Sequence, residues 1–81
     1  MTVVTLYGKP GCHLCEQARA EVARVREERP FELREVDVSL DPGLAREYGE
    51  RIPVLAIDGA EVLELGVRGD ELKRLLDTVR S

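Results

Sequence analysis

The chain has no tryptophan, no asparagine, a single glutamine and a single histidine, and only two of its residues are cysteines. Each scarcity excludes something. Two cysteines and one histidine are too few for a four-ligand zinc site from one subunit, so a zinc or iron–sulfur site would need a second copy. No stretch comes near the roughly 20 apolar residues of a membrane-spanning helix. The first apolar run, Val3–Tyr7, is too short for a signal-peptide core and has no basic lead. No targeting segment is read, no membrane partner is expected, and the expected location is cytoplasmic. Positive charge is not in excess either. Twelve Lys and Arg stand against 16 Asp and Glu, for a net charge of -4, which counts against nucleic acid as a partner. The near absence of amide side chains, beside an excess of Arg and Glu, points to a thermophilic source. There is no internal repeat, linker or low-complexity segment, and the 81 residues are read as one domain, 1–81.

What is present concentrates around Cys12-His13-Leu14-Cys15. Thr2–Tyr7 is rich in β-branched residues and predicts a strand. Gly8–Gly11 predicts a tight turn. From about Cys12 to Arg29, Leu14, Cys15, Ala18, Val22 and Val25 form the apolar stripe of an amphipathic helix, which Pro30 ends. Two thiols three residues apart at a helix start lie on one face and are able to close a small disulfide. The partial positive charge of the helix N-terminus favours a thiolate at the first of them.

Further along, Phe31–Val38 predicts a second strand. Its apolar residues change parity part-way, which suggests cover on both faces and a bulge. Asp41-Pro42 reads as an N-cap followed by proline at the first helical position, opening a short helix to Tyr48 that Gly49 stops. Pro53–Ile57 and Ala60–Leu65 flank Asp58-Gly59, a strong hairpin signal. A last helix carries Leu72, Leu75, Leu76 and Val79 as one stripe. The order β-α-β-α-β-β-α predicts a four-stranded mixed α/β sheet with helices on both faces. The first two strands are parallel through a right-handed crossover.

A Cys-x-x-Cys in such a context reads as a redox pair. Two other readings stand beside it: a structural disulfide, and a metal or iron–sulfur module that uses Cys12 across two subunits. Lys9 and His13 are candidates for tuning the thiols, each with exposure to solvent as the plainer alternative. Arg51 is a candidate for holding a substrate carboxylate or for facing water. From the residues alone Pro53 would be an ordinary trans proline.

Tyr7-Gly8-Lys9-Pro10-Gly11-Cys12-His13-Leu14-Cys15, then Arg51-Ile52-Pro53-Val54, then Asp58-Gly59 resemble the glutaredoxin-like members of the thioredoxin-fold superfamily. The match in spacing and element order extends over essentially the whole chain. The resemblance implies a thioredoxin-like fold and a small thiol–disulfide oxidoreductase. Cys12 would be the nucleophile and Cys15 the resolving thiol. Pro53 would be cis and face the pair, with the backbone of Ile52 pairing with an extended substrate. Lys9 would stabilise the thiolate and contact a carboxylate of glutathione. No bound cofactor is implied. Glutathione or a reductase would be the electron donor, and protein disulfides or glutathione mixed disulfides the substrates.

The chain departs from the family pattern at three places. His13-Leu14 replaces Pro-Tyr, Arg51 replaces Thr, and Gly66-Val67 replaces Gly-Gly ahead of Asp70. The dithiol chemistry does not depend on these positions, whereas contacts to glutathione do. Thioredoxin proper is a poorer match, because no tryptophan stands beside the motif.

Overall fold

The structure, a computed structural model, describes residues 2–80. Strand β1 (Val3–Gly8) leads through helix α1 (His13–Glu28) to strand β2 (Glu32–Asp37). A single 3-10 turn (Val38–Leu40) and helix α2 (Pro42–Tyr48) follow. Strands β3 (Val54–Ile57) and β4 (Ala60–Glu64) then lead into helix α3 (Gly69–Arg80). The sheet order is β2-β1-β3-β4. β1 runs parallel to β2 and antiparallel to β3, and β3 runs antiparallel to β4. This is the mixed four-stranded α/β arrangement of the thioredoxin-like fold.

Local chemistry explains most boundaries. Asp41 caps α2 by accepting from the N–H groups of Gly43 at 2.7 Å and Leu44 at 3.2 Å, with Pro42 opening the helix. Asp58 and Gly59 both have positive φ, 50° and 88°, as a tight two-residue hairpin needs. The Asp58 side chain then accepts from the N–H of Val3 at 2.9 Å, pinning the hairpin to the start of β1.

Alternation along β1 divides the packing. Val4 and Leu6 face Ala18, Val22 and Val25 of α1 and Leu72 and Leu76 of α3. Tyr7, of the other parity, stacks its ring on Tyr48 of α2 at a centroid distance of 4.3 Å. Helices therefore cover both faces. A second, smaller cluster gathers Cys15, Val38 and Ile52 with Tyr7, Cys12, Leu44 and Tyr48.

Several details differ from the expectations above. The ladder between β1 and β2 runs without a break from Val3–Glu32 to Gly8–Asp37, so β2 carries no bulge. Phe31 and Val38, whose parity suggested one, lie just outside the strand and are buried as its flanks. The irregularity sits instead between β3 and β4. There the register slips between Leu55 and Ala56 and leaves Val62 as the extra residue. Leu14 does not join the buried stripe of α1; it is 47% exposed. The side chain of Val79, expected on the stripe of α3, lies outside the described residues. Among the described residues no helix is long and apolar enough to cross a membrane.

Candidate active site: a thiol pair at a helix start

The turn after β1 delivers the pair. Gly8, the last residue of the strand, is pressed against Cys15: a Cβ added to it would lie 3.1 Å from Sγ and 3.2 Å from Cβ of that cysteine. Only glycine lets the strand and the helix approach this closely. Gly11 then turns the chain with φ 78°, a conformation open to glycine and costly for other residues.

Cys12 is the N-cap of α1, one residue before the helix proper. Its backbone is extended (φ -91°, ψ 113°) and its Sγ accepts from the N–H of Cys15 at 3.2 Å. An N-cap side chain takes up one of the four N–H groups that a helix start leaves unpaired. Both cysteines are free thiols, Cys12 partly exposed and Cys15 buried. Burial pushes the Cys15 thiol above its ordinary value, and its hydrogen bond with Cys12 adds to the rise. The backbone N–H and the charge of Lys9 act in the opposite sense on the same sulfur. The two thiols are thus chemically unequal.

Ile52 and Pro53 are buried beside the pair, Ile52 within the cluster that holds both cysteines, and the peptide bond between them is cis. Lys9 is exposed and lines, with Gly8, Cys15, Glu16, Glu35 and Asp37, a crevice of about 390 Å³ on one side of Cys15. His13 is also exposed; its Nε2 lies 3.2 Å from the Gln17 side-chain amide, one turn along the helix.

Arg51 is held elsewhere. Its guanidinium donates to the Glu47 carbonyl from Nε and Nη2, and to Glu61 at 2.9 Å and Glu64 at 3.5 Å from Nη1. It also lies over the Tyr48 ring at 5.2 Å. The Arg51 carbonyl accepts from the N–H of Leu65 at 3.0 Å. Arg51 thereby ties the end of α2 to β4 and to the loop beyond it. Sequence reasoning passed over this network, because its carboxylates come from a strand whose register a single sequence does not reveal. It also passed over Gly8, although a glycine closing a strand is a recognised sign of close backbone approach.

Among the described residues, no group of three or more His, Cys, Asp or Glu is placed to hold a metal ion. The arrangement offers an accessible sulfur at a helix start, a second sulfur beneath it, and a buried Ile-Pro alongside.

Residues 3–77 match the model of a family described as Glutaredoxin-like domain (DUF836). The chain belongs to this glutaredoxin-like family. It is 33% identical over 63 residues to the uncharacterized protein Rv0508 of Mycobacterium tuberculosis, a match that takes in 72% of this chain and 65% of that protein. The match thus spans a little under two thirds of the relative's length. Among solved structures, target protein XcR50 from X. campestris is 34% identical, with a TM-score of 0.80 over 93% of this chain and 96% of that one. A mutant thioredoxin from Halobacterium salinarum is 27% identical, with a TM-score of 0.72 over 95% of this chain and 73% of that one. A glutaredoxin-like fold that carries the Cys12–Cys15 pair supports a role of redox type.

Proposed function

We propose that this glutaredoxin-like protein is a small dithiol thiol–disulfide oxidoreductase, with Cys12 as nucleophile and Cys15 as resolving thiol. The observation that carries the reading is the inequality of the two sulfurs: Cys12 is accessible and accepts a helix-start N–H, while Cys15 is buried and its thiol is pushed above the ordinary value by that burial. A thiolate attacks disulfides far faster than a thiol, so the accessible, hydrogen-bonded sulfur is the one to react first.

The cycle balances as follows. The Cys12 thiolate attacks one sulfur of a substrate disulfide. A Cys12–substrate disulfide forms, the substrate S–S bond breaks, and the departing thiolate takes up a proton. Cys15 then loses its proton and attacks Cys12 Sγ. The mixed disulfide breaks, the second substrate thiol leaves, and the Cys12–Cys15 disulfide forms. The substrate has gained two electrons and the protein has lost two. A thiol such as glutathione, or a reductase, returns them.

In this reading the backbone of Ile52, next to the cis bond at Pro53, lies along an extended substrate. The N–H and the charge of Lys9 both bear on Cys15, so Lys9 assists the second step. Arg51 shapes the loop before Ile52 instead of binding substrate. His13 has no step of its own. A reducing compartment such as the cytoplasm suits the chemistry.

Trapping tests the proposal. Cys15→Ser, incubated with a disulfide substrate, should accumulate a covalent adduct at Cys12 visible by mass spectrometry. Cys12→Ser should form none and should lose turnover. An adduct that forms on Cys15 in Cys12→Ser while none forms on Cys12 in Cys15→Ser, or turnover that survives Cys12→Ser, sinks the assignment.

A further inference from the structure

A groove of about 390 Å³ runs between the start of α1, where Leu14 stands between the two cysteines in sequence, and the segment joining β4 to α3. Its apolar lining includes Leu14, Leu63 and Leu65. Two of these sit at odds with folding. Leu14 is 47% exposed although it lies between the two cysteines on an otherwise buried stripe. Leu65 is 57% exposed and has φ 66°, a left-handed conformation that is costly for any residue with a side chain. An exposed apolar residue held in a costly backbone conformation at the edge of a reactive site points to a binding role.

The polar rim carries more negative than positive groups. Glu64 and Glu71 line the groove, and Arg68, which lines it too, reaches Asp70 at 3.8 Å. Next to it, Arg51 is surrounded by Glu47, Glu61 and Glu64. Around this groove and the neighbouring Arg51 cluster three guanidinium groups, Arg51, Arg68 and Arg74, face five carboxylates, Glu47, Glu61, Glu64, Asp70 and Glu71, a local excess of two negative charges. Arg51, the obvious candidate for a substrate carboxylate, is already surrounded by carboxylates of the protein itself.

We propose that this groove selects by charge: it takes polypeptide disulfides with a lysine or arginine close to the reacting cysteine, and disfavours anionic disulfides, glutathione disulfide among them. The inference rests on Cys12 as the attacking sulfur and names the substrate class of that site. Leu14 and Leu65 supply apolar contact for the chain beside the disulfide, while Glu64 and Glu71 meet its cation. In the step itself Cys12 Sγ bonds to the substrate sulfur, the S–S bond breaks, and the leaving thiolate is protonated; the cation remains on the part held in the groove. Two net negative charges acting over about one Debye length, about 10 Å at 0.1 M salt, give a preference for cation over anion on the order of threefold.

The test uses reduced protein and two small symmetric disulfides of opposite charge: cystamine, with an ammonium at each end, and dithiodipropionate, with a carboxylate at each end. Each rate of Cys12 oxidation is divided by the rate of 2-mercaptoethanol with the same disulfide, which removes intrinsic reactivity. The normalised ratio should favour cystamine by the factor above at low salt and fall towards one in about 0.5 M salt. Glutathione disulfide should behave as dithiodipropionate does. Glu64→Gln and Glu71→Gln should each lower the ratio about twofold. The Glu71 variant leaves the Arg51 network intact, because Glu71 pairs only weakly, with Arg74 at 3.8 Å. A normalised ratio of one or less, or a ratio that neither salt nor either variant moves, overturns the selectivity while leaving the oxidoreductase reading in place. A wild-type protein that reacts with neither disulfide overturns both.

Discussion

Replacing Cys12 separates two duties that the residue carries at once. As the N-cap of α1 it satisfies the N–H of Cys15 through Sγ at 3.2 Å. As the accessible thiol it is the attacking group of the proposed cycle. Serine keeps the cap and removes the chemistry; alanine removes both. A good N-cap is worth about 1 kcal/mol over alanine, within a range of roughly 0.5–2. Sulfur is a weak acceptor, so Cys12 should fall between the two. Cys12→Ser should therefore be about as stable as the reduced wild type or up to about 0.5 kcal/mol more stable, and Cys12→Ala less stable by a similar amount. For a chain of this size a difference of about 1 kcal/mol between the variants is a separation of roughly 4–8 °C in Tm. The assay is thermal unfolding of the three reduced proteins, followed by circular dichroism at neutral pH. Both variants should be inactive. If serine and alanine melt within about 1 °C of each other, Cys12 is not capping the helix, and the argument that ties its reactivity to the helix start fails. The expected order also means that the proposed nucleophile occupies a position where a hydroxyl would hold the fold better, a cost in stability of the kind that function imposes.

Two further outcomes follow from contacts near the pair. Gly8→Ala places a methyl 3.1–3.2 Å from Sγ and Cβ of Cys15, tighter than ordinary packing. The variant should lose about 1–3 kcal/mol, read as a lower denaturant midpoint with an unchanged slope; an unchanged midpoint would show that the strand and helix are not held at this spacing. Tyr48 is pushed up to about 12 from 10.0, first by burial and then by its contacts with Tyr7 and Glu61. A group raised in the folded state binds its proton more tightly there than when unfolded, so its contribution is complete below about pH 10 and is lost as pH rises towards 12. Thermal stability should fall across that window in the wild type and fall less in Tyr48→Phe. A tyrosinate absorbance titration that finds Tyr48 near 10 would refute it.

The order of elements was legible because each rests on local chemistry. β-branched runs, Pro30 after α1, Asp41-Pro42 before α2 and Asp58-Gly59 between β3 and β4 act within a few residues of themselves. The pair at the start of α1 was legible for the same reason. What escaped depends on distant partners. Phe31 and Val38 suggested a bulge in β2 because burial at the ends of an edge strand imitates a change of face. Leu14 counted towards the apolar stripe because periodicity does not report that the stripe's first turn projects beyond the core. The setting of Arg51 was invisible because its partners, Glu61 and Glu64, are placed by a register slip within the hairpin. The hydrogen bond from the Gly69 N–H to Glu21 at 3.1 Å, which joins α3 to α1, spans 48 residues and has no local signature.

The order β2-β1-β3-β4 leaves two strands with one open side each. A naked strand border invites another chain to pair along it, and this is how many sheet proteins clump. Here both borders are charged: Glu32, Arg34 and Glu35 on β2, and Glu61 and Glu64 on β4, where the register slip further breaks the ladder. The proposed cycle works through brief covalent links to other chains, and charged borders disfavour a second, hydrogen-bonded link along the sheet. In that cycle the covalent link forms at Cys12, where Cys15 is already in place to end it.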